Sequence, residues 1–228
     1  MLVLGVIPAR GGSKGLPDKN LRVVAGRSLL AHAVEVARAS RRLTRVVLST
    51  DDPAIARAGE ALGVEVPFMR PADLAADDSP MLPVLQHAVR TLAEGGFAPD
   101  AVVLLQPTSP LRRAEHVDAA IEMLERTGAD SVVSVVEVPH RFNPVSVLSL
   151  HGDRLRPQAA GPLVTRRQDK PRVFARNGPA VLAVRTHVLA GGSLYGDDSR
   201  GMVMSARESL DIDDAWDLEV AELMLSKR

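Results

Sequence analysis

The stretch from Val3 to Asn20, VLGVIPARGGSKGLPDKN, constrains the chain most. Its first half, with Leu2 before it, is an apolar run rich in branched side chains that lasts to Ile7, the pattern of a strand buried on both faces. Its second half has the opposite chemistry. From Arg10 it carries Gly11, Gly12 and Gly15, the cations Arg10, Lys14 and Lys19, and the amide Asn20, with Leu16 as its one aliphatic side chain. A flexible cationic loop therefore leaves the end of a central strand, and parallel α/β sheets bind ligands beyond such strand ends.

That loop suits an anion. Glycines lack a Cβ and can take positive φ, so consecutive N–H groups can converge while phosphate oxygens approach closely. Arg10 and Lys19 would then neutralise oxygens that gain charge during a reaction. The bland alternative is a strand-to-helix turn with solvated lysines; cations interleaved with glycines directly after a buried strand favour phosphate. No Gly-Lys-Ser/Thr closes the loop and GxGxxG is absent, so P-loop ATPase and dinucleotide-binding readings lose their main support.

The remaining chain repeats strand and helix. Ser28 is expected to cap a helix to Ala39, Arg45 to Ser49 to form a strand, and Pro53 to open a helix to about Leu62. Val64 to Pro67 is expected as a short extended piece, and a helix from about Pro80 to Ala93 with its cap at Asp78 or Ser79. Ala101 to Leu105 reads as a second buried strand, stopped by two prolines so that Gln106, Thr108, Ser109 and Arg112 gather at its carboxyl end. A helix over Ala114 to Arg126, strands over Asp130 to Val138 and Met202 to Ser205, and a last helix from Ala215 to about Ser226 follow, with Trp216 expected in the core. Between them, residues 139–176 leave the pattern as an excursion containing a hairpin turn at His151-Gly152-Asp153.

Asp211 and Asp213 stand two apart near the end of the chain. In an extended segment both carboxylates point to one side and Ile212 to the other, into the core. Two hard oxygen ligands suit Mg²⁺ when phosphate oxygens and waters complete its octahedron. Capping of the last helix by Asp213 or Asp214 is the structural alternative.

Composition excludes other classes. Lys plus Arg and Asp plus Glu both number 28, so no global field draws nucleic acid or an anionic membrane. One Trp and one Tyr give no stacking platform for single strands, and the absence of cysteine removes disulfides and thiolate chemistry. No apolar run has the length of a membrane span and the first strand runs into the loop without a cleavable signal pattern, so a cytoplasmic enzyme is expected.

Arg10-Gly11-Gly12-Ser13-Lys14-Gly15, a short spacer, and Lys19-Asn20 resemble the signature of the acylneuraminate (CMP-sialic acid type) cytidylyltransferase family. Four further segments resemble that family's motifs in order: Arg70-Pro71-Ala72-Asp73-Leu74-Ala75 with Ser79 beyond it, LLQPTSPLR around Gln106, Arg166-Arg167-Gln168 followed by Asn177-Gly178, and Asp211-Ile212-Asp213. The resemblance implies a single Rossmann-like α/β nucleotidyltransferase domain with a mostly parallel sheet, residues 139–176 serving as an excursion for dimerisation and acceptor binding. It implies transfer of CMP from CTP to the anomeric hydroxyl of an acidic 2-keto-3-deoxy sugar of the sialate, legionaminate or pseudaminate type, with release of pyrophosphate. Arg10, Gly11, Gly12, Ser13, Lys14, Lys19, Asn20, Arg70 and Ser79 would bind the nucleotide; Gln106, Arg167 and Asn177 would bind the acceptor. Arg10, Lys19 and Asp211 would serve catalysis, and Asp211 with Asp213 would hold Mg²⁺ in a homodimeric enzyme. An arginine fork at Arg167 matches the two oxygens of a sugar carboxylate.

The resemblance is closer on the nucleotide side than on the acceptor side. Where sialate-activating members commonly follow Asn-Gly with Ala-Ile-Tyr, this chain has Pro179-Ala180-Val181. Activation of 3-deoxy-octulosonate or an aminoalkylphosphonate is therefore the neighbouring alternative. A glycosyltransferase would consume a nucleotide sugar instead, and a non-catalytic nucleotide-binding module would be expected to carry a damaged Asp-Ile-Asp motif.

Overall fold

The computed structural model describes residues 1–12, 15–159, 164 and 166–227. Ser13 and Lys14, assigned above to the nucleotide, lie outside the described residues. In chain order the elements are β1 (Val3–Pro8), a small hairpin of β2 (Val23–Val24) and β3 (Arg27–Ser28), α1 (Leu29–Ala39), β4 (Arg45–Ser49), α2 (Pro53–Ala61), α3 (Met81–Glu94), β5 (Ala101–Leu104), α4 (Ala114–Thr127) and β6 (Ser131–Glu137). They continue with β7 (Leu148–His151), β8 (Arg154–Pro157), β9 (Phe174–Arg176), β10 (Leu182–Arg185), α5 (Thr186–Ala190), β11 (Ser199–Met204) and α6 (Ala215–Leu225).

Among the described residues the main sheet has the order β11-β6-β10-β5-β1-β4, with β9 pairing to β6 as well. Its β1–β4, β1–β5 and β6–β11 pairs are parallel, whereas β10 runs against both β5 and β6, and β9 against β6. The sheet is thus mostly parallel, as the alternation of strand and helix predicts.

All six residues of β1 are buried because the strand is sandwiched. Val3 and Ile7 face one layer with Leu30 and Val34 of α1 and Ile121 and Leu124 of α4; Leu4 and Val6 face the other with Leu85 and Ala88 of α3 and Leu189 of α5. Helix starts follow local chemistry. Ser28 Oγ accepts the Ala31 N–H at 3.1 Å, and Asp52 accepts the N–H groups of Ala54 and Ile55 ahead of the Pro53-led α2.

A third apolar cluster, Leu16, Val24, Leu29, Ile212 and Ala221, joins the cationic loop to the C-terminal segment. Full burial of one such aliphatic side chain contributes about 1.5–3 kcal/mol. Leu16 and Ile212 thereby hold Lys19 and the two aspartates in one neighbourhood. The Ile212 N–H also donates to the Thr108 carbonyl at 2.8 Å, tying this segment to the end of β5.

Val64 to Pro67 is the short extended piece expected, joined to β4 by a parallel bridge between Val47 and Glu65. Three other expectations need correction. Neither Asp78 nor Ser79 caps α3; Pro80 precedes it without a side-chain cap, and Ser79 Oγ instead donates to the Asp73 carbonyl at 3.0 Å. Trp216 is 69% exposed, because α6 packs with Leu218, Ala221 and Leu225 and the indole lies on the opposite side of the helix. The excursion is also less separate than its composition suggests: β7 and β8 pair with each other, but β9 returns to the main sheet.

Candidate active site

Strands β5, β1 and β4 are adjacent, so the segments leaving their carboxyl ends meet. They enclose a cleft of about 470 Å³ lined by Arg10, Lys19, Asn20, Arg70, Ser79, Gln106, Thr108 and Asp213, with Leu74, Met81 and Val84 as apolar wall. Motifs separated by more than 190 residues in sequence thus face one space: Lys19 Nζ and Asp213 Oδ1 stand 3.5 Å apart.

The cationic loop is shaped by its own amides and by β4. Asn20, buried, donates through Nδ2 to the Arg10 carbonyl at 2.9 Å. Gly11 donates its N–H to Asp51 Oδ1 at 3.1 Å and so directs it to the neighbouring strand end, while Gly12 takes φ +63°, in the left-handed region. At Gly15 a Cβ would sit 3.1 Å from the Asp213 carbonyl oxygen. Glycine is what lets the loop approach the aspartate segment so closely.

Among the described residues, each charged donor of the cleft is already engaged. Arg10 Nη1 lies 2.6 Å from Asp77 Oδ1, and Lys19 is paired with Asp213. Arg70 is buried and donates to Ser49 through Nε (to Oγ, 3.1 Å) and Nη2 (to the carbonyl, 2.6 Å). Burial lowers the Arg70 pKa from its ordinary value; Asp51 opposes that shift and Arg10 adds to it.

Among the described residues, buried side-chain atoms without partners include two carboxyl or amide oxygens near the cleft. Gln106 Oε1 and Asp211 Oδ1 are buried and make no hydrogen bond. A buried polar atom left alone is costly, and its presence beside a cleft points to a ligand. Burial raises the Asp211 carboxyl pKa, the nearby Thr108 side chain opposes the rise, Asp213 adds to it, and Lys19 pulls it down. Asp211 is therefore electrostatically coupled to both cleft residues. No group of three or more His, Cys, Asp or Glu able to hold a metal occurs among the described residues, so a cation here would rest on Asp211, Asp213 and substrate oxygens. A hard ion such as Mg²⁺ fits that donor set. Capping of α6 falls to Asp214, whose side chain accepts the Asp217 N–H at 3.0 Å, leaving Asp213 in the cleft.

Two sequence-assigned acceptor residues lie elsewhere. Asn177 is buried and spends its amide internally, accepting from Ser134 Oγ at 2.6 Å and donating to Ser209 Oγ at 2.9 Å. It braces β6 against the segment before Asp211. Its neighbour Gly178 takes φ +118°, and a Cβ there would sit 3.3 Å from the Asp211 carboxylate. Arg167 lines a separate cleft of about 480 Å³ on the excursion, with Glu137, His140 and Asn143.

Sequence reasoning overlooked Asp51 and Asp77. Asp51 stands at the carboxyl end of a parallel strand beside β1, a position that marks it by the same rule as the cationic loop. Asp77 carries no such signal, since only the fold brings the 71–79 segment back over Arg10. Arg112, expected beside the loop, is instead wholly buried with its Nη1 donating to the Gln106 carbonyl at 3.0 Å and the Ala180 carbonyl at 2.8 Å. Burial with no carboxylate among those partners pushes its pKa down to about 10.

A mostly parallel α/β sheet with a cationic glycine loop beside Asp213 fits a nucleotidyltransferase. The chain belongs to the cytidylyltransferase family, whose model matches residues 4–185, and is an enzyme that transfers CMP from CTP. It is 33% identical over 226 residues to the CMP-N,N'-diacetyllegionaminic acid synthase of Legionella pneumophila, covering 99% of this chain and 97% of that protein. With the N-acylneuraminate cytidylyltransferase of Escherichia coli it shares 29% identity over 99% of its length, spanning 52% of that longer protein. The solved structure of a CMP:2-keto-3-deoxy-manno-octonic acid synthetase complexed with CTP has the same fold, with TM-score 0.75, 21% identity and full coverage of both chains.

Proposed function

We propose that the enzyme transfers CMP to the anomeric hydroxyl of a nine-carbon acidic 2-keto-3-deoxy sugar of the legionaminate, pseudaminate or sialate kind, releasing pyrophosphate. The observation that carries this reading is the convergence of Arg10, Lys19 and Asp213 with the unpartnered Gln106 Oε1 in one cleft. The similarity to the legionaminic acid synthase along both chains supports the acceptor class.

The acceptor hydroxyl oxygen forms a bond to the α-phosphorus as the bond from that phosphorus to the pyrophosphate oxygen breaks, and the hydroxyl proton is released. Positioning and charge stabilisation dominate such transfers. Arg10 and Lys19 neutralise the triphosphate, Asn20 fixes the loop that carries them, and Arg70 and Ser79 border the nucleoside end near the apolar wall. Gln106 Oε1 accepts a hydrogen bond from an acceptor hydroxyl. Asp211 and Asp213 would hold Mg²⁺, which when bound offsets phosphate charge and lowers the pKa of the attacking hydroxyl. The use of a nucleoside triphosphate donor supports a cytoplasmic reaction.

The excursion supports a homodimer. Phe142, Leu148, Leu150 and Leu155 are exposed there, Leu150 to 67%, and a second copy of the chain would cover them. In one chain Arg167 lines its own cleft, so its acceptor role and the dimer are proposed together, a second copy carrying it to the acceptor.

A panel of acceptors tests the reading: the purified enzyme with CTP, Mg²⁺ and, separately, legionaminate-, pseudaminate- and sialate-type acids, 3-deoxy-octulosonate and an aminoalkylphosphonate, followed by product mass. A CMP adduct with a nine-carbon acid at the highest kcat/KM is expected. Preference for the eight-carbon acid or the phosphonate would overturn the acceptor assignment.

A further inference from the structure

Asp77 holds Arg10 at 2.6 Å across the same cleft that Lys19 and Arg70 line, and both side chains are partly open to solvent, 29% for Arg10 and 35% for Asp77. We propose that Asp77 is a stand-in for phosphate: its carboxylate occupies Arg10 in the empty enzyme and is displaced by nucleotide phosphates, so that it sets nucleotide affinity and selects ligands long enough to reach Arg10. The inference rests on the reading of this cleft as the CTP site.

The geometry fits an exchangeable contact. Asp77 belongs to the 71–79 segment, whose backbone bonds are local: Leu74 N–H to the Pro71 carbonyl at 3.0 Å and Ser79 N–H to the Ala76 carbonyl at 3.1 Å. Arg70, just before it, is anchored by its own N–H to the Thr50 carbonyl at 2.7 Å. The Arg10 contact reaches from this segment across to the phosphate loop. A charge-assisted bond of this length is strong in geometry, yet partial exposure keeps its net worth small. A triphosphate brings several charges to the same guanidinium and can outcompete one carboxylate. Once displaced, Asp77 no longer ties the 71–79 segment to Arg10. Ligands without phosphate leave the pair intact.

Isothermal titration of CTP, CMP and cytidine into the wild type, Asp77→Asn and Asp77→Ser tests this, with thermal melting to verify that each variant folds. Asn keeps the shape and removes the charge. Both variants are expected to bind CTP roughly three- to tenfold more tightly than the wild type, the scale of one partly exposed charge contact, with cytidine affinity unchanged. Equal or weaker CTP binding by the variants, beside normal binding by the wild type, would overturn the stand-in role and leave the cleft assignment intact. A gain of the same size with cytidine would overturn it too, since phosphate competition would not be its cause. Absence of CTP binding in all three proteins would remove the cleft assignment and this inference together.

Discussion

Lys19 Nζ lies 3.5 Å from Asp213 Oδ1, although 194 positions separate the two residues. The apolar cluster that contains Leu16 and Ile212 creates this proximity, and the ion pair is its consequence. With Asp213 largely exposed at 83%, the pair adds little to stability. Lys19→Met is accordingly expected to change the urea unfolding free energy by less than about 0.5 kcal/mol while lowering kcat by about a hundredfold or more. Steady-state kinetics beside urea melts would refute the assignment if turnover survived.

Asp211 carries its charge at a cost. Because burial raises its carboxyl pKa, the folded chain keeps the proton to higher pH than the unfolded chain, and stability falls as pH rises through the window above the ordinary value of 3.8. Asp211→Asn should therefore gain about 1 kcal/mol at pH 7 in metal-free buffer, with the gain disappearing below that window, and lose most turnover. Urea titrations at several pH values measure it; a variant no more stable than the wild type at neutral pH would show that the carboxylate is not under strain.

A wholly buried guanidinium that holds two carbonyls is expected to be structural first. Arg112→Met leaves the Gln106 and Ala180 carbonyls short of a donor, for an expected loss of about 2–4 kcal/mol. Arg112→Lys, which keeps one charged donor, should recover part of it. Differential scanning calorimetry on both variants checks the order; equal melting temperatures for all three proteins would exclude the role.

Gly15→Ala tests the close approach of the loop. The added methyl would meet the Asp213 carbonyl oxygen at 3.1 Å, forcing the cationic loop back from the aspartates by a few tenths of an ångström. We expect kcat/KM to fall by about tenfold, because transfer depends on alignment, with a stability change below about 1 kcal/mol. Unchanged kinetics would mean that the loop closes differently when substrate is present.

Much of this was legible in the residues themselves. β1, β4 and α1 are local patterns, a buried run or a serine cap, and they form where the sequence predicts. The cleft residues Arg10, Lys19 and Gln106 were legible because strand ends in a parallel sheet converge, and Asp213 because it stands two residues from Asp211 in an Asp-Ile-Asp motif. What escaped depended on long-range packing. Trp216 is exposed because only one stripe of α6 finds the core, while apolar side chains lie on more than one of its faces and size alone cannot say which face is buried. Asp77 was one carboxylate among several in a loop until the fold brought it over Arg10. Asn177 carries a motif position, yet its amide serves Ser134 and Ser209, a use that no spacing announces.

The most direct measurement follows the α-phosphorus. Incubated with CTP labelled there, Mg²⁺ and a nine-carbon 2-keto-3-deoxy acid, the enzyme should move the label into a CMP–sugar adduct and release one unlabelled pyrophosphate per adduct. Label retained in CTP with every acceptor, or released as free CMP without an adduct, would show that the cleft does not perform CMP transfer to such acids.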